Sequence, residues 1–172
     1  MGVPDSRHAL IDGRRLAWRE AGNGPALVFI HGMGGNARNW ETQYTQFSDR
    51  YRVIGWDAPR YGESDDWLTD APTVADYTSM IACLLNAAGV THAHMVGHSF
   101  GGTLMPAFQK AHPERVLSMV LAQPVIGSGP LGAEKQAEII AARENLLAEL
   151  GIEPYARQHA PRSVAKPADD AT

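Results

Sequence analysis

Apolar positions along the chain fall into two textures. Three short runs, Ala26 to Ile30, Arg52 to Trp56 and Ala93 to Val96, are apolar almost throughout. They lack the alternation of a sheet wetted on one face, which predicts strands buried on both faces. Between them the spacing becomes helical: Trp40, Tyr44 and Phe47 recur at i, i+4 and i+7, and Val74, Tyr77, Ile81, Leu84 and Leu85 repeat the pattern up to Gly89. A further helix from about Gly101 to Ala111 stops near Pro113, and Val116 to Leu121 reads as another buried strand. The first 25 residues differ. Two short strands, His8 to Ile11 and Arg15 to Arg19, flank the turn signal Asp12-Gly13 and predict an antiparallel hairpin. Strands alternating with helices imply a parallel sheet. The expected fold class is therefore α/β, a three-layer sandwich whose mostly parallel sheet carries an N-terminal antiparallel hairpin.

The texture shifts at Ser128. Gly127, Gly129, Pro130 and Gly132 break the chain before a helix over about 133–150, whose stripe runs through Ala133, Ala137, Ile139, Ile140, Leu146, Leu147 and Leu150. Gly151 and Pro154 close it. Residues 1–127 are expected to form a partial α/β core, and 128–172 the start of a separate layer. The tail after Pro154 has no hydrophobic period and reads as mobile.

Composition removes whole classes of function. With 172 residues, 44% of them apolar and 20% charged, folding can bury a sizeable core without disulfide or metal staples. Fifteen basic residues against nineteen acidic ones give a net charge of −4 and no basic stripe, so nucleic acid is not an expected partner. The single cysteine, Cys83, excludes an internal disulfide and reads as buried filler in an apolar helical stretch. No apolar run approaches the ~18 residues of a membrane span, and the N-terminus lacks a basic-then-apolar leader. The expectation is a cytoplasmic protein without a membrane partner. Met1-Gly2-Val3-Pro4-Asp5-Ser6 fits a loose myristoylation pattern, but no basic patch nearby supplies a second anchor.

The chemistry gathers around Gly97-His98-Ser99-Phe100-Gly101-Gly102, which follows a predicted strand and precedes a predicted helix. That context makes it a nucleophile elbow: Ser99 is thrown out of a sharp strand-to-helix turn, and Gly97 and Gly101 sit where a Cβ would strike neighbouring backbone. The helix behind it aims unpaired N–H groups at the place where negative charge would develop. Upstream, His31-Gly32-Met33-Gly34-Gly35 follows the Ala26 to Ile30 strand and suits the other half of an oxyanion hole. His92 and His94 precede His98, but no tetrahedral set is expected to converge there. No glycine-rich phosphate loop follows a strand. Neither metal nor cofactor is expected.

Together HGMGG, Trp40, VIGWDAPRYGES and VGHSFGG resemble the α/β-hydrolase superfamily, in the branch of small esterases, enol-lactonases and carbon–carbon bond hydrolases. The resemblance spans about residues 8–150. It implies Ser99 as nucleophile, the backbone N–H groups of Met33 and Phe100 as oxyanion donors, and an elbow and pocket formed by His31, Gly32, Gly97, His98 and Gly101. A serine in place of the aspartate of dehalogenases and epoxide hydrolases implies an acyl intermediate. The Asp57-to-Ser64 segment resembles a family loop that shapes the pocket floor. Arg60 replaces its first glycine, so a positive φ there would be strained, and its side chain reads as solvated rather than substrate-binding.

A serine hydrolase also needs a histidine base oriented by an acid, following the serine in chain order. After Ser99 only His112, in a helix-ending turn, and His159, in the tail, remain. His159 is the candidate base. The family pattern places the acid and base after further strands, so the chain reads as truncated after a sixth strand and the first helix of a lid. The expected function is hydrolysis of small carboxylic esters or lactones, impaired for want of acid and base. Cleavage of a diketone carbon–carbon bond and a non-catalytic, partner-binding remnant are the alternatives. An uncovered sheet edge would favour self-association.

Overall fold

A computed structural model describes residues 2–66, 69–125 and 129–159, apart from the side chains of Ala156 and His159. The chain divides into two units, Met1–Val125 and Ile126–Thr172. The first contains β1 (Ser6–Ile11), β2 (Arg14–Ala21), β3 (Ala26–Ile30), α1 (Glu41–Phe47), β4 (Arg52–Trp56), α2 (Val74–Ala87), β5 (Ala93–His98), α3 (Phe100–Ala111) and β6 (Val116–Ala122). A 3-10 turn, Ala37–Trp40, leads into α1. Each expected strand and helix of this region is present, with ends displaced by a few residues.

The six strands lie in the order β1-β2-β4-β3-β5-β6. The β1–β2 and β2–β4 pairs are antiparallel and the other three parallel. Ile11 pairs with Arg14, leaving a two-residue loop in which Asp12 and Gly13 take φ of 50° and 78°. Positive φ at both positions is the turn whose twist matches a hairpin. On one face, Ile81, Leu84 and Leu85 of α2 and Leu104, Met105 and Phe108 of α3 pack with Val28, Ile30, Ile54, Trp56 and Met95. On the other, Tyr44 of α1 packs with Phe29 and Val53. Thr73 and Asp76 begin α2 with reciprocal side-chain to backbone bonds, and these bonds hold the Asp76 carboxyl below its usual range.

Within this frame β4, β3 and β5 are adjacent, parallel and buried for most of their length. Their carboxyl ends release His31, Asp57 and Ser99 side by side, which is where an open α/β sheet presents a crevice.

The run VLSMVLA of β6 has the apolar texture of a strand buried on both faces, but Leu117 is 52% exposed and Val120 54%, as expected of a strand left at an uncovered sheet edge. Among the described residues its only strand partner is β5, so its outer backbone edge is open. The opposite edge, β1, exposes Arg7 and His8; β6 carries no charge at all.

The second unit holds a 3-10 turn (Gly129–Leu131), α4 (Ala133–Leu150) and α5 (Ile152–His159). Gly151, at φ 76°, ends α4 with its N–H on the Leu147 carbonyl. No residue of α4 is buried, and Ile139, Leu146 and Leu150 of its apolar stripe are half-buried. The segment 152–159 is helical rather than irregular. Pro154 falls in its first turn, where no intrahelical N–H is needed, and Glu153 accepts from Arg157 at 2.7 Å one turn on. The remainder of the expected mobile tail, 160–172, lies outside the described residues.

An uncharged open edge is a template for strand pairing. We expect the chain to self-associate through β6, with a light-scattering mass above that of a monomer. Val120→Lys is expected to shift it toward monomer. A monodisperse wild-type monomer would argue against pairing at this edge.

Candidate active site

Ser99 joins β5 to α3 at φ 51° and ψ −117°. A residue with a Cβ adopts this conformation only when its surroundings enforce it. The glycines around it supply that enforcement. A Cβ on Gly101 would lie 2.2 Å from the Ile30 carbonyl oxygen, and one on Gly97 would lie 2.6 Å from the Gly101 oxygen. Helix α3 is thereby drawn against the end of β3, and the Ser99 N–H donates to the Ala122 carbonyl at 2.9 Å at the end of β6. Serine at a helix N-cap ordinarily turns its hydroxyl onto the first turn. Here it makes no such bond. The hydroxyl is left available, and no histidine among the described residues is hydrogen-bonded to it.

The loop after β3 comes directly against this serine. A Cβ on Gly32 would stand 2.8 Å from Ser99 Cβ and 3.2 Å from its Oγ. Gly35 N–H donates to the Gly32 carbonyl at 3.1 Å, and Gly34 sits at φ 75°. That combination is a type II turn with Met33 at its second position, whose own N–H is not consumed by the turn. Phe100, first residue of α3, likewise has no carbonyl one turn behind it. The Met33 side chain is 65% exposed. An open cleft of about 330 Å³, lined by His31, Gly32, Met33, Asn39, Trp40 and His98 among others, lies over the turn.

His31 is buried rather than presented to the cleft as a base. Its Nε2 accepts the Ala58 N–H at 3.1 Å, and its Nδ1 lies 2.7 Å from the Gly32 carbonyl. The two bonds define one neutral tautomer, protonated on Nδ1. Desolvation among neighbours that include Trp56 and Tyr61 pushes its pKa below the usual histidine value. The Gly32 carbonyl and the Asp57 charge oppose this without reversing it.

Asp57, whose importance the sequence does not announce, is 2% exposed. One carboxylate oxygen accepts the Ala37 N–H at 2.7 Å and the other the Glu63 N–H at 2.9 Å. Its carbonyl accepts from Ser64 Oγ at 2.6 Å, and Ser64 Oγ in turn accepts the Ala17 N–H of β2 at 2.8 Å. The legible signs are an acid immediately after the apolar end of a strand and its place at the head of the Asp57-to-Ser64 segment. Arg60 has φ 75°, as a glycine position would require, and its Nε bonds the Asp66 carboxylate on the exposed side of this loop.

The remaining candidates disperse. His98 is exposed at the end of β5 and lines the cleft. His94 bonds Ser118 Oγ at 2.8 Å on the sheet face bearing α1, and His92 lies in the loop before β5. His112 caps α3 beside Phe108. Among the described residues no group of three or more potential ligands is placed to hold a metal. Cys83 is partly buried against the larger core, where burial pushes its thiol pKa up. His159 ends α5 in the second unit, and its side chain lies outside the described residues. No described helix is long and apolar enough to cross a membrane.

Residues 25–150 match a family model described as alpha/beta hydrolase fold. The chain is 35% identical over 143 residues to a 2-hydroxy-6-oxo-6-phenylhexa-2,4-dienoate hydrolase of Comamonas testosteroni, covering 81% of this chain and 49% of that one. It is 32% identical over 152 residues to the dihydrolipoyllysine-residue acetyltransferase component of an acetoin cleaving system of Cupriavidus necator, covering 83% and 40%. Among solved structures, a meta-cleavage product hydrolase of Pseudomonas fluorescens IP01 superposes with a TM-score of 0.64 at 29% identity, over 69% of this chain and 44% of that one. The chain thus spans half or less of the length of these relatives.

Two outcomes follow from the geometry. Gly101→Ala forces a side chain into the Ile30 carbonyl and is expected to cost about 3 kcal/mol. Gly34→Ala, with open space but a positive φ, is expected to cost only about 1 kcal/mol; urea denaturation of the two variants separates them. Because the folded state lowers the His31 pKa, the unfolded chain binds more protons near and below the ordinary value of about 6.5. The corresponding stability is intact above that pH and declines as pH falls below it. His31→Gln is expected to flatten this part of the pH–stability curve.

Proposed function

This chain belongs to the alpha/beta hydrolase fold family, and from that premise we propose that it carries the nucleophile and oxyanion-binding half of a serine hydrolase for small carboxylic esters or lactones. The observation that carries the reading is Ser99 itself: held at φ 51°, it leaves its own helix uncapped and abuts the turn that presents Met33.

In this reading Ser99 Oγ attacks the ester carbonyl, and the carbonyl oxygen, now negatively charged, accepts from the N–H groups of Met33 and Phe100. Such donors act on charge that appears only in the transition state, and one of them is worth about 10²–10³ in rate. Collapse expels the alcohol and leaves an acyl-serine, which water then releases as the acid. The hydroxyl proton must pass to a base as the new bond forms. His159 is the candidate within this chain, and a group outside it is the other source.

A second reading, hydrolysis of a carbon–carbon bond in a diketone, is favoured by the 35% identity to the Comamonas testosteroni hydrolase. Product analysis distinguishes it: two carbon fragments rather than an acid and an alcohol or a single hydroxy acid.

The test is p-nitrophenyl acetate hydrolysis by the chain beside Ser99→Ala from pH 5 to 9. Slow turnover that is lost in the variant is the expected result, and a rate rising through a pKa near ~6.5 would make His159 the base. Equal rates for the two proteins would leave the fold as a non-catalytic framework.

A further inference from the structure

The segment from His31 to Ala37, which carries Met33, is fastened at both ends by two consecutive residues of another strand end. At its start, His31 Nε2 accepts the Ala58 N–H at 3.1 Å. At its finish, the Ala37 N–H donates to an Asp57 carboxylate oxygen at 2.7 Å. The Ala37 carbonyl is satisfied too, accepting the Tyr44 hydroxyl at 3.0 Å. Tyr44 is fully buried, and Gly55 of β4 leaves the room it occupies, since a Cβ there would stand 2.3 Å from the Tyr44 oxygen.

We infer that Asp57 is the positioning residue for the oxyanion-binding turn: with Ala58 it fixes the span between His31 and Ala37, and hence where the Met33 N–H points beside Ser99. The inference rests on the function proposed above and adds a residue that never touches substrate. Three features support it physically. Among the described residues no basic side chain is bonded to the Asp57 carboxylate; its oxygens accept two backbone N–H groups, Ala37 and Glu63, and charge-assisted bonds of this kind are the strong ones. Gly62 has φ 56° and a Cβ there would lie 2.3 Å from the carboxylate, so the Asp57–Glu63 loop closes over the group and holds it in place. Finally, the turn itself is short and rich in glycine, with only one backbone bond across it, Gly35 to Gly32. Its rigidity must therefore come from its ends.

The test compares wild type with Asp57→Asn, which keeps the shape but can accept only one of the two N–H groups well, and with Tyr44→Phe, which removes a single hydroxyl from the same loop end. Two readouts are taken on the full chain. Backbone ¹⁵N order parameters over residues 32–36 are expected to fall from about 0.85 toward 0.6 in Asp57→Asn, and by less in Tyr44→Phe, while those of α3 stay unchanged. Ser99-dependent turnover of p-nitrophenyl acetate is expected to lose about 10- to 100-fold in kcat in Asp57→Asn, with KM nearly constant. A folded Asp57→Asn with unaltered order parameters in this turn overturns the inference. If Asp57→Asn fails to fold, unaltered order parameters in Asp57→Glu, which keeps the charge but displaces both acceptor oxygens by a methylene, overturn it. Absence of Ser99-dependent turnover in wild type strikes the functional proposal instead, and the order parameters then decide the role of Asp57 alone.

Discussion

A carbonyl oxygen, that of Ile30, occupies the place where a side chain on residue 101 would have to be. This close approach sets the geometry on which the rest of the site depends. It lets α3 begin against the end of β3, which forces the preceding residue, Ser99, through a tight turn at positive φ. With Ser99 turned out of the strand, its hydroxyl does not cap α3, and Phe100, as first residue of α3, has an N–H outside the helix's own ladder. A contact between two backbones thereby sets the direction of a side chain and the availability of a donor. Sheet order completes the arrangement: because β3 lies between β4 and β5, the loop after β3 has Ser99 on one side and Asp57 on the other.

The polar groups gathered here are costly to bury and are satisfied without a counter-charge. Asp57 spends its acceptors on backbone N–H groups, and His31 is held as a neutral ring between one donor and one acceptor. A cation in contact with Asp57 would compete for the same oxygens. An imidazolium at His31 would set two donors against each other at the Ala58 N–H. The network therefore works in one protonation state, and low local dielectric makes it stiff in that state and expensive to break. Its stiffness is transmitted to a turn that has almost none of its own.

What could be read from residues alone follows the same division. Strands β3, β4 and β5 were legible because burial on two faces leaves a run apolar almost throughout, and the elbow because Gly97 and Gly101 mark contacts no other residue can make. Arg60 was legible as a conflict, a bulky residue where φ is positive, and φ 75° bears that out. For β6 the run VLSMVLA records what the strand prefers, whereas its exposure follows from its place at the sheet edge, the uncovered edge that the family pattern implied. Residues 152–159 misled because Pro154 suggests a break, although a proline in a first turn costs nothing. Asp57 was nearly silent: its partners are the backbone groups of Ala37 and Glu63, and a backbone N–H has no sequence signature. Side-chain chemistry that answers to other side chains leaves a motif. Chemistry that answers to the main chain does not.

The two halves of a serine hydrolase are separable in kind. Transition-state charge is stabilised by dipoles that must be fixed before the reaction, since reorienting them during it would consume the benefit. Proton transfer needs only a group of suitable pKa within hydrogen-bond reach, and that group can approach on a loop. The described residues hold the parts that the proposed reading assigns to the first kind: a serine at φ 51°, a turn leaving the Met33 N–H outside its own hydrogen bond, the N-terminus of α3 and the bonds of Asp57 behind them. All of them come from three adjacent strand ends. The demand for fixed geometry is what ties such parts to the sheet, whereas the weaker geometric demand on a base would let it come from a loop.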